Sequence, residues 1–117
     1  MLLLVTFLSE GAFGQSQFAG TWETVKANKL TGKHAITVII SVTQGKISGL
    51  VVLANPDASE IEEPIPNAVS CEQTLEFETR IGSDTFNWRL TRKSKTTAFL
   101  HGSMGEMVID ERMVRIN

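Results

Sequence analysis

From residue 15 onward the hydrophobic positions recur at every second residue, not at helical spacing. Ile36, Val38, Ile40 and Val42 alternate with Thr37, Ile39, Ser41 and Thr43. Leu75, Phe77, Thr79 and Ile81 alternate with Thr74, Glu76, Glu78 and Arg80. Phe86, Trp88 and Leu90 alternate with Thr85, Asn87, Arg89 and Thr91. An extended chain sends successive side chains to opposite faces, so each run gives one apolar face and one wet face. That is the pattern of antiparallel sheet with one side on a core. Strands are predicted over about 18–27, 34–43, 46–54, 59–65, 73–81, 84–92, 96–103 and 106–116.

Turn-forming residues separate these runs: Gln44-Gly45, Asn55-Pro56-Asp57, Gly82-Ser83-Asp84, Lys93-Ser94-Lys95 and Met104-Gly105. They tolerate positive φ or cap a bend, and the short spacing suits hairpins joined in sequence. The stretch from Pro64 to Glu72 holds two prolines and is expected to be a loop or a single helical turn. A meander of about eight strands must hide its edges. Closure into a barrel removes them, whereas a two-sheet sandwich only blunts them. Gly49 and Gly102 fall inside strand patterns, where glycine often marks a bulge or a sharp bend at a barrel corner. The expected fold is therefore all-β, a small antiparallel up-and-down barrel, with a β-sandwich as the alternative.

The first residues differ from the rest. Met1 to Leu8 is an apolar run, followed by small residues, with Ala12 and Gly14 at spacing suited to signal-peptidase cleavage. Residues 1–14 are expected to be a signal peptide and 15–117 a single domain, secreted or periplasmic. The apolar run is far shorter than the roughly 20 residues that span a bilayer.

Composition narrows the chemistry. The chain has 117 residues, enough for one domain, and 42% hydrophobic against 21% charged residues is a globular balance. A net charge of −2 leaves no basic excess for a phosphate backbone, so nucleic acid is not an expected partner. The single cysteine, Cys71, cannot form an intrachain disulfide and is read as buried or incidental. Two histidines and one cysteine, far apart, give no metal-ligand spacing, and no metal or cofactor is expected. There is no phosphate-cradling loop before a helix and no nucleophile elbow, so no catalytic residues are assigned.

The opening Phe18-Ala19-Gly20-Thr21-Trp22 resembles the Gly-x-Trp start of lipocalin-like, or calycin, barrels, and the domain is similar to short secreted bacterial members of that group. The resemblance implies that Trp22 closes one end of the barrel. It also implies that a basic residue near the C-terminus, Arg115 or else Arg112, packs on the indole; cation–π attraction and a covered apolar face make that arrangement favourable. The chain is shorter than true lipocalins and has no C-terminal helical pattern.

Two functions are expected to compete. The first is binding of a small apolar or amphipathic ligand inside the barrel, with Trp88, Phe86, Phe77, Val38, Ile40 and His101 as its lining. This places His101 inward with Phe99; the competing register puts Ala98, Leu100, Gly102 and Met104 inside and leaves His101 wet. The second is a protein-interaction or inhibitor module with a filled barrel and no enzymatic activity. Asp57, Glu60, Glu62 and Glu63 form an acidic patch and Arg89, Arg92, Lys93 and Lys95 a basic one, both read as solvated faces. Glu76 is expected to meet Arg89 across a hairpin as a surface ion pair.

Overall fold

The period-two runs become strands whose apolar positions are buried and whose polar positions face out. The computed structural model describes residues 17–26, 35–55, 59–65 and 68–117. The expected signal segment, His34, Pro56 and Asp57 lie outside the described residues. The strands are β1 (Gly20–Thr24), β2 (Ile36–Thr43), β3 (Lys46–Ala54), β4 (Glu60–Pro64) and β5 (Ala68–Cys71). β6 (Thr74–Ile81), β7 (Asp84–Arg92), β8 (Thr97–Met104) and β9 (Met107–Arg115) complete the set.

All nine belong to one antiparallel sheet in the order β4-β3-β2-β1-β9-β8-β7-β6-β5. The sheet curls until β4 lies beside β6, which makes an up-and-down barrel with one seam. β1 joins the two halves. Its residues Gly20–Glu23 pair with β2, and Trp22–Thr24 pair with β9. Chain-adjacent hairpins supply every other step except the short passage from β4 to β5.

Among the described residues nine strands stand where eight were expected. The extra one, β5, occupies part of the stretch read as loop or helical turn. Its hairpin to β6 turns at Glu72, which takes φ 53° although it is not glycine. No glycine or asparagine announces that turn. Thr74 Oγ1 donates to the Cys71 carbonyl at 2.9 Å, and the Gln17 side-chain amide donates to the Glu72 carbonyl. Tertiary contact thus holds a turn whose sequence carries little turn chemistry.

The two strand glycines act through space, not through bulges. Gly49 and Gly102 sit in unbroken ladders, opposite Ile40 and Trp88. A Cβ on Gly102 would lie 2.5 Å from the Trp88 ring, and one on Gly49 would lie 2.1 Å from the Ile39 carbonyl oxygen. Each marks a place where another group approaches the backbone closely.

The interior is one cluster. Phe18, Trp22, Leu75, Leu90, Val38 and Leu100 are at most 1% exposed, with Ile40, Val51, Phe77, Phe86, Trp88 and Met113 packed among them. Leu53, Ile81, Met104 and Ile109 are partly buried and pack against it. Cys71 is exposed at the end of β5, not buried.

Candidate functional site

The residues expected to line a cavity are brought together, but as packed core. Phe86 and Trp88, both on β7, stack with centroids 4.9 Å apart, and Phe77, opposite Trp88 on β6, lies 6.5 Å from it. Trp88 Nε1–H donates to Thr79 Oγ1 at 2.8 Å, which satisfies the only polar atom of the indole. Val38 and Ile40 close the opposite wall. Exposure at these five side chains runs from 0% at Val38 to 6% at Phe86. All five belong to the single buried hydrophobic cluster.

His101 does not join them. The competing register holds: Ala98, Leu100 and Gly102 are buried, whereas Phe99 and His101 point outward. The reason is Trp88. It faces the interior from β7 opposite Gly102 of β8, and only a residue without a side chain fits there. That pairing fixes the parity of the whole strand. His101 Nδ1 instead meets Asp110 Oδ1 of β9 at 2.7 Å, with side chains 44% and 71% exposed.

The closed end carries the second tryptophan. Trp22 is 0% exposed, and its Nε1–H donates to the Phe18 carbonyl at 2.9 Å. Arg115 lies over the indole with its guanidinium carbon 4.4 Å from the ring centroid, and it donates to the Gln17 carbonyl. Arg92 donates to Gln17 Oε1 at 3.0 Å. Gln17 therefore ties two arginines to the start of the domain. The Nε atoms of Arg92 and Arg115 are buried without a hydrogen-bond partner. Burial, and then the neighbouring Arg92 charge, hold Arg115 below the ordinary arginine pKa. This end is a plug, built from packing and cation–π contact.

Outside, described residues line several grooves, three of which bear on the chemistry of the wall. One of about 410 Å³ runs over β6 to β8, lined by Val69, Glu76, Asn87, Arg89, His101 and Ser103 among others. Arg89 Nε pairs with Glu76 at 3.4 Å across the β6–β7 ladder, as alternation and hairpin geometry expect. His101, Asp110 and Ser103 share this outer surface, where the His101–Asp110 contact joins β8 to β9. A second groove, about 380 Å³, follows the seam between Glu63, Pro64, Glu78 and Arg80. There β4 pairs only with β3, and β6 beyond Phe77 pairs only with β7 among the described residues. Pro64 and the glutamates of β4 blunt that edge. The third, about 460 Å³, surrounds Phe99 on β8 and β9. Sequence reading missed it because it placed Phe99 inside the barrel with His101. Among the described residues no group of three or more His, Cys, Asp or Glu side chains is placed to hold a metal ion.

No protein-family description matches the chain, and no curated protein sequence does. Solved structures do. The crystal structure of Treponema pallidum Tp0751 (pallilysin) superposes with a TM-score of 0.57 at 15% identity, covering 99% of this chain and 95% of that one. The fluorescent protein UnaG, wild type, gives 0.49 at 14% identity over 86% of this chain and 97% of its own. At 15% identity the likeness to pallilysin is one of fold: this chain is an antiparallel β-barrel of the same overall design.

Proposed function

We propose that this protein is a non-enzymatic recognition barrel with a filled interior, engaging its partner through the outer wall. One observation carries the reading: the aromatic side chains best placed to line a pocket, Trp88, Phe86 and Phe77, are 2%, 6% and 4% exposed. A packed barrel spends its apolar surface on stability and leaves the outside for binding. The outer wall supplies three grooves of 380–460 Å³ with charged and polar rims. Nucleic acid is a poor partner for a chain of net charge −2. The proposal includes secretion with removal of residues 1–14; N-terminal sequencing of protein from its own host tests that part, and retained Met1 on mature material would defeat it.

A second reading has its own support. Leu53, Ile81, Met104 and Ile109 are only partly buried and pack against the core. A small apolar ligand would enter there, with Phe77, Val38 and Ile40 deeper. A neutral apolar dye, N-phenyl-1-naphthylamine, separates the two. A filled barrel gives no saturable fluorescence gain. Stoichiometric uptake with energy transfer from tryptophan would replace the outer-wall reading with the carrier one. Native mass spectrometry after gentle purification is the companion measurement, and a retained small molecule argues the same way.

A further inference from the structure

Phe99 is 44% exposed on the outer wall, and Val25, 55% exposed, stands beside it across β9. Both open into the groove of about 460 Å³, together with Val114. Two cations reach the same ring. Lys93 Nζ lies 5.4 Å from its centroid and the Arg112 guanidinium carbon 5.9 Å. Neither makes an ion pair with a carboxylate among the described residues. Glu23 of β1, opposite Val114, is engaged in a polar interaction of its own. Elsewhere on this wall Arg89 pairs with Glu76, and His101 meets Asp110. Here two cations gather on an exposed apolar floor, and neither is ion-paired among the described residues.

Contacts at 5.4 and 5.9 Å are at the loose limit of cation–π geometry. A charge-assisted hydrogen bond to an anion is stronger, and both side chains are long enough to turn toward one. The volume suits a small molecule better than a membrane plane or a folded partner. We infer that this groove is a binding site for a small amphipathic anion. Its acidic group, carboxylate or sulfonate, sits between Lys93 and Arg112, and its apolar body lies along Phe99, Val25 and Val114. The inference rests on the outer-wall reading and gives it a site and a ligand class.

The test uses 8-anilinonaphthalene-1-sulfonate, an aromatic sulfonate, titrated into the full domain with fluorescence as readout. Saturable binding near one per chain is expected, weakened by about fivefold or more in Phe99→Thr and in Arg112→Gln. Rising salt weakens it further, because the site is exposed. Lys93→Gln lies outside the strands and guards against a folding artefact. Val108→Thr, exposed on β9 and lining none of the three grooves, is expected to leave binding unchanged. Absence of binding, or binding indifferent to all three groove substitutions, overturns the site. Co-sedimentation with phosphatidylcholine vesicles holding about 30 mol% phosphatidylglycerol tests the membrane alternative. Vesicle binding lost in Arg112→Gln would replace the small anion with a lipid surface. The neutral dye is run in parallel. Its uptake would sink the filled-barrel reading alone, whereas dye sulfonate that ignores the groove variants would sink this inference alone.

Discussion

On β7, Phe86, Trp88 and Leu90 face inward and are 0–6% exposed, while the Arg89 side chain between them is 56% exposed. The same backbone thus carries two surfaces with different energetics. On the inner wall each group is held by shape: Trp88 stacks on Phe86, donates to Thr79 and fills the space that Gly102 leaves. On the outer wall each group is held by charge in water, as in the Arg89–Glu76 pair. Close packing makes inner positions intolerant of change in either direction. High dielectric makes outer pairs nearly dispensable for stability and free to serve recognition.

Urea denaturation midpoints can break or sharpen that contrast. Trp88→Ala has the largest expected effect, a loss of about 3–5 kcal/mol, the usual cost of emptying an aromatic site. Gly102→Ala comes next, at about 1–3 kcal/mol, because its new Cβ drives into a rigid indole. If Gly102→Ala were neutral, the interior would have slack, and the second reading of function would gain. Thr79→Val keeps volume but leaves the Trp88 N–H unpaired, for about 1–2 kcal/mol. Tryptophan emission should also shift as the indole loses its partner. Glu76→Ala is expected to cost less than about 1 kcal/mol. A larger loss from Glu76→Ala than from Thr79→Val would invert the contrast between walls.

The two ends of the barrel show how far the sequence could be read. At the closed end, Gly20-Thr21-Trp22 and Arg115 are far apart in the chain, and the resemblance to calycin barrels brought them together ahead of the structure. Arg115 does lie over Trp22. Nothing in the sequence pointed to Gln17, which joins Arg92 and Arg115 through its side chain and its carbonyl. At β5 the sequence misled, because Glu72 adopts positive φ without the residue types that favour it. At β8 it was ambiguous, since Phe99 and Leu100 are both plausible core residues.

Alternation alone determined the all-β class, the inward sets on β2, β6 and β7, and the hairpins at Gln44-Gly45, Gly82-Ser83 and Gly105, because these follow from side-chain direction and local backbone preference. Tertiary structure decided which face of β8 turns inward, how the aromatic side chains stack, and where cations collect around Phe99. Those depend on volumes and distances between strands remote in sequence. The parity of β8 hangs on a glycine meeting a tryptophan across a ladder, and the groove at Phe99 on cations arriving from a loop and from β9.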